Sequence, residues 1–135
     1  YIMGLMDDNM FKENLRLWNN FETDYKPILS YAKKKKISVI ASNAPRRYVR
    51  LVSRNGLEFL QELSRESLGY LPPLHMISRY SQPGYNEKLK NLFGFSHGDT
   101  PVSAKWMENM IDAQNLWDAT MAYSITEHVK KNNRK

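Results

Sequence analysis

The chain has 135 residues, 41% hydrophobic and 25% charged, the balance of a globular protein rather than a disordered one. Twenty lysines and arginines against 14 acids leave a formal charge of +6, and the absence of cysteine excludes disulfide frameworks and thiolate metal sites. That length suffices for one domain with a real core and little more.

The positive excess is local. Lys33 to Lys36 form one run, and Lys130, Lys131, Arg134 and Lys135 form another. Both fall at expected helix ends, where cations complement the helix dipole, so they read as solvated faces. No recognised nucleic-acid motif interleaves aromatics with them, and no nucleic-acid partner is expected. No window approaches the roughly 18 apolar residues of a membrane-spanning helix, and no charged-then-apolar signal segment opens the chain. Tyr1 reads as mid-element, so an internal or processed fragment is expected.

In chain order, a first helix is expected within Met3–Asn20, with Asp7 or Asp8 as cap and Phe11, Leu15 and Trp18 on one stripe. A second spans about Phe21 to Lys35, with Tyr25, Ile28, Leu29 and Ala32 on one side. Pro27 places its start near Lys26 or kinks it there. Ile37 to Ser42 reads as a buried strand, because β-branched residues suit a pleated surface. Asn43 is the expected N-cap of the next helix and Pro45 its opening residue, with Arg46 and Arg47 on the first turn. A strand feeding a helix in this way directs free N–H groups to the sheet's carboxyl edge, where anionic ligands sit.

That helix is expected to run to about Ser53, with Asn55-Gly56 as a left-handed stop. Leu57 to Leu63 reads as another short helix, and Ser64 to Pro83 as loop, punctuated by Gly69, Pro72, Pro73 and Pro83. Asn86 to Phe93 is one more short helix. Thr100-Pro101 is the expected cap of the longest, which reaches about Val129. Met107, Met110, Ile111, Trp117, Met121 and Ile125 share one face of it, with Gln114 and Asp118 on the same stripe. A buried carboxylate needs a donor, and Arg46 or Arg47 is the expected partner of Asp118. One strand cannot make a sheet, so the core is expected to be completed by further chain or a partner.

Three segments then act together. Asn43-Ala44-Pro45-Arg46-Arg47-Tyr48 after a strand, Leu71-Pro72-Pro73-Leu74, and Ala113-Gln114 with Trp117-Asp118-Ala119-Thr120-Met121-Ala122 resemble the ChaN-type haem-binding uptake proteins of the Tiki superfamily. Trp18 with Tyr25-Lys26-Pro27 fits the preceding helices, and the matches keep the family's order. The resemblance implies an α/β fold, of which residues 1–135 are an internal, mostly helical portion with one core strand. The amino-terminal strand with its Gly-Glu-x-His-like segment and the final strands would lie outside it. It also implies export as a periplasmic or outer-membrane-anchored lipoprotein, haem held at a homodimer interface, and an envelope partner such as an outer-membrane transporter.

Ferric haem offers an iron, a flat apolar ring and two carboxylates. The segment Leu74 to His97 supplies His75, Arg79, Tyr80, Tyr85, Phe93, Phe95 and His97. Iron ligation by tyrosine requires a phenolate, whose ordinary pKa near 10 the metal lowers. The family pattern of a tyrosine before a glycine-histidine turn points to Tyr85 on iron and His97 at the propionates or a second site. Tyr80 and His75 are the reserves, Arg46 and Arg47 the anion-binding candidates, and Asn43, Gln114 and Asp118 structural polar groups. His128, near a helix end, reads as structural.

Enzyme chemistry finds less support. His75, His97 and His128 lack the spacing of a helical zinc pair, and no Gly-x-Ser-x-Gly, phosphate loop or cysteine nucleophile occurs. The expectation is a non-enzymatic haem-binding protein. The alternatives are a Tiki-related metallohydrolase with catalytic residues outside this chain, and an interaction subunit of an envelope assembly.

Overall fold

The structure is a computed structural model that describes residues 17–77, 84–96 and 103–132. It is mostly helical, and the chain divides into two compact units, residues 1–40 and 41–135.

In the first unit, a π-helical turn, Phe21–Tyr25, leads into helix α1, Lys26–Lys35, with Pro27 in its first turn. The proline thus marks the change of helical pitch: it has no N–H to donate, and the expected boundary at Lys26 is met. Lys36 ends the helix in the left-handed conformation (φ 56°), with Ile37 N–H donating to Ala32 O and Lys36 N–H to Lys33 O. That pair of bonds is a Schellman closure, built here on a lysine where glycine is usual. Trp18 meets Tyr25 edge to face at 4.8 Å, and Leu17, Trp18, Phe21, Tyr25, Ile28 and Leu29 line an apolar groove of about 240 Å³. Only Ala32 of α1 is buried. The expected helix within Met3–Asn20 lies mostly outside the described residues.

The expected core strand is not formed. Residues 37–42 have no regular structure, and Ile37, Val39 and Ile40 are exposed. A strand is held by its ladder, and among the described residues no second strand supplies one. Their β-branched side chains satisfy a local preference that lacks a surface to pack on.

The second unit is built on two helices, α2 (Arg46–Asn55) and, after four shorter elements, the long C-terminal helix. Pro45, not Asn43, holds the cap position of α2, and its carbonyl accepts from Tyr48 N–H. Asn43 lies at an exposed bend and caps nothing. With the strand absent, the chain turns at Asn43 and enters the helix two residues later than an asparagine cap requires. Gly56 (φ 86°) stops α2 as expected. A 3-10 helix, Leu57–Glu62, a single turn α3, Arg65–Leu68, and a 3-10 turn, Leu74–Met76, follow. Ser64 caps α3 by accepting from Ser67 N–H. Helix α4 covers Tyr85–Ser96 and helix α5 covers Ala104–Asn132. Thr100 and Pro101 lie outside the described residues; Ser103 accepts from Trp106 N–H at the start of α5.

The core joins Ala44, Tyr48, Val49 and Val52 to Leu60, Leu71 and Ile77 and, from α5, to Ala113 and Leu116. Pro72 is fully buried beside Leu71, which makes the Leu-Pro-Pro-Leu segment a lid on this core.

The face of α5 that packs inward shares only Ile111 with the expected stripe. Asn109, Asp112, Ala113, Asn115, Leu116 and Thr120 are buried with it, while Met107, Met110, Gln114, Trp117, Asp118 and Met121 are half-buried and Ile125 is exposed. Three of the polar residues on this face find backbone partners, whereas Asn109 Oδ1 and Asn115 Nδ2 are buried without a hydrogen-bond partner among the described residues. Asn109 Nδ2 donates to Arg54 O at 3.1 Å, Asp112 Oδ2 accepts from Leu57 N–H at 3.3 Å, and Thr120 Oγ1 donates to Leu116 O at 2.7 Å. The first satisfies a carbonyl at the end of α2 and the second an N–H at the start of the 3-10 helix that follows, groups that helix ends leave without partners. They also tie that end of α2 to residues 109–112, while its apolar face packs on Ala113 and Leu116, so α2 and α5 run antiparallel.

Candidate functional site

Helix α4 starts immediately after Gly84, whose φ of 86° turns the chain, and its first residue is Tyr85. Tyr85 contacts Asp118 in the middle of α5, while Phe93 meets Trp106 near its beginning at 6.5 Å, edge to face. The two contacts set α4 antiparallel to α5.

The Tyr85 hydroxyl donates a short hydrogen bond to Asp118 Oδ2, and Gln114 Nε2 donates to Asp118 Oδ1 at 3.0 Å. All three side chains are half-buried. Asp118 therefore has the donors that its burial demands, but they come from α4 and from its own helix. Neither Arg46 nor Arg47 pairs with it. Burial pushes the Tyr85 phenol above its ordinary value, the Asp118 hydrogen bond and charge push the same way, and Gln114 opposes them. In this arrangement the phenol is a proton donor.

Both arginines are exposed on the first turn of α2. Arg47 is pinned: Nη2 donates to Tyr48 Oη at 2.9 Å, and its guanidinium lies 4.7 Å from the Tyr48 ring centre and 5.1 Å from that of Tyr70. Stacking of this kind fixes a planar cation between two aromatic faces. Arg46 makes no hydrogen bond or ion pair with any described residue. His75 is exposed on the 3-10 turn after Pro73, and no hydrogen bond joins it to Tyr85. Tyr80 and His97 lie outside the described residues.

Between α4 and α5 lies a cavity of about 380 Å³ lined by Asn86, Lys90, Ala104, Met107, Glu108, Ile111 and Asp112. Lys90 and Glu108 on its wall have partners on their own helices, Glu87 at 3.5 Å and Lys105 at 3.3 Å. Tyr85 is not part of its lining. Among the described residues no group of three or more histidines and acids is placed to hold a metal ion, and no helix is long and apolar enough to cross a membrane.

Reading the chain element by element missed two things here. The Tyr85–Asp118 bond joins positions 33 residues apart, which no local spacing reveals. The buried polar seam Asn109, Asp112 and Asn115 had a visible signal, a repeat of three, but an apolar stripe on the other side of α5 masked it.

No curated protein and no solved structure matches this chain. A family model described as "Haem-binding uptake, Tiki superfamily, ChaN" matches residues 1–135. The match spans every segment described above, from the aromatic groove before α1 to the end of α5, and the chain therefore belongs to the ChaN haem-binding uptake family of the Tiki superfamily.

Proposed function

We propose that this chain holds haem as cargo within an envelope iron uptake system, without chemical turnover, and that Tyr85 supplies the oxygen that binds ferric iron. The family match over residues 1–135 is the observation that carries the reading. The donor chemistry fits it. A phenolate oxygen is a hard anionic ligand for ferric iron, and Tyr85 is half-buried with a carboxylate beside its proton. Arg46, which has no described partner, is suited to a propionate; Arg47 is held rigidly one residue on, with its charge shared between two tyrosine rings. His75, Tyr80 and His97 are the further candidate ligands that the family pattern suggests. A site shared between two protomers, and an exported, lipid-anchored setting with an outer-membrane transporter as partner, complete the reading.

Phenolate ligation expels a proton, and Asp118 together with burial holds that proton on Tyr85. Haem affinity through Tyr85 therefore rises with pH. Titration of ferric haem into the protein, followed by its Soret and charge-transfer bands, tests the assignment. Tyr85→Phe is expected to weaken binding at least about ten-fold and to remove the phenolate charge-transfer features. Spectra and affinity unchanged in Tyr85→Phe overturn Tyr85 as the ligand.

A further inference from the structure

Helix α2 carries a row of arginines that extends beyond Arg46, the one member of it placed at the proposed haem site. Its ten residues include four arginines and no acid. Tyr48, Val49 and Val52 turn into the core, which leaves Arg46, Arg50 and Arg54 on the outer side at spacings of four. At 1.5 Å per residue, such a row extends about 12 Å along one face. All three are exposed, and none of their guanidinium groups meets a hydrogen-bond or ion-pair partner among the described residues. Like charges four apart destabilise a helix, so the row is unfavourable until an anionic surface neutralises it.

We propose that this row docks α2 on the phosphates of an anionic lipid bilayer. The outer side of the helix is a straight line of planar cations, and each guanidinium can grip phosphate oxygens with two parallel N–H groups. Tyr70, 57% exposed and stacked with Arg47 beside the row, is the kind of amphipathic ring that settles at headgroup level. A nucleic acid presents the same phosphate chemistry without a headgroup layer for Tyr70, so a DNA duplex is the competing arm of the test.

The test uses the full chain sedimented with vesicles of phosphatidylcholine, with and without phosphatidylglycerol, over a salt series. Binding is expected only to the phosphatidylglycerol vesicles and is expected to fade as salt rises. Each basic residue is worth about a five-fold factor near such a surface, so R50Q/R54Q should bind roughly 25-fold more weakly. R50K/R54K, which keeps the charge, should retain most of the binding. Both variants change exposed residues outside the core and are expected to keep the parent's circular dichroism and haem titration, so this result stands or falls independently of the haem site. Equal binding to both vesicle types, an unaltered R50Q/R54Q variant, or tighter capture by a DNA duplex at matched salt overturns the proposal.

Discussion

Helices α1 and α2 invite comparison because they are matched in almost everything but burial. Each has ten residues, each begins beside a proline, and each is closed by a residue at positive φ. Yet α1 buries one alanine, whereas α2 buries Tyr48, Val49 and Val52 against Ala113 and Leu116 of α5. Apolar spacing states which side of a helix wants cover. It does not supply the cover, and most helical stability comes from that packing rather than from propensity. In α1, Ile28 remains 66% exposed on the very side that its sequence marks as apolar.

The largest expected effect probes that contrast directly. Leu116 is fully buried where α5 meets α2, so Leu116→Ala should cost about 3 kcal/mol in urea denaturation, the loss of transfer energy plus a cavity. Ile28→Ala should change stability by less than about 0.5 kcal/mol, since an exposed isoleucine loses little. Comparable losses at the two positions would mean that α1 is packed in solution as firmly as α2, and the comparison would fail.

The closing residues sharpen it further. Gly56 sits at φ 86°, and a Cβ there would lie 3.2 Å from Glu58 Oε2 and 3.3 Å from Asn109 Oδ1. Gly56→Ala should therefore destabilise by about 1–2 kcal/mol, from backbone strain and crowding together. Lys36 occupies the left-handed region with a Cβ already present, so Lys36→Gly should stabilise the end of α1 by about 0.5–1 kcal/mol. Helix content by circular dichroism and denaturation midpoints read both. Opposite signs are the prediction, because one closure suits its residue and the other does not.

How much of this was legible beforehand follows the same divide between local and non-local physics. Pro27 marking a boundary, Gly56 as a stop and the long helix through residue 129 are local consequences of missing N–H groups, permissive φ and periodicity, and they hold. The strand at residues 37–42 fails because a ladder needs a second strand, which propensity in six residues cannot provide. The inward face of α5 was misread for a related reason. Asp112, 2% exposed, is stabilised by an N–H group 55 residues away, and hydrophobicity alone assigns such a residue to solvent. At the candidate site, the need of Asp118 for a donor was readable from the cost of burying a carboxylate. Which donor it finds, Tyr85 rather than an arginine, depends on how α4 lies along α5.

The smallest effect concerns that last contact. The phenol of Tyr85 is held above its ordinary pKa by burial first and then by Asp118, so the folded state keeps this proton to higher pH than the unfolded state does. Above roughly pH 10, where an unperturbed phenol ionises, the unfolded chain binds fewer protons at this site and unfolding becomes easier. The stabilisation is thus fully present below that pH and is lost as pH rises through the raised value. Lysines and other tyrosines titrate in the same range, so the informative quantity is the difference between the parent and Tyr85→Phe, measured by urea denaturation across alkaline pH. That difference should shrink as pH climbs above 10, because only the parent carries the proton in question. A difference that grew instead would mean that the ionised phenol is the better partner for α5, and the Tyr85 hydroxyl could not be donating to Asp118.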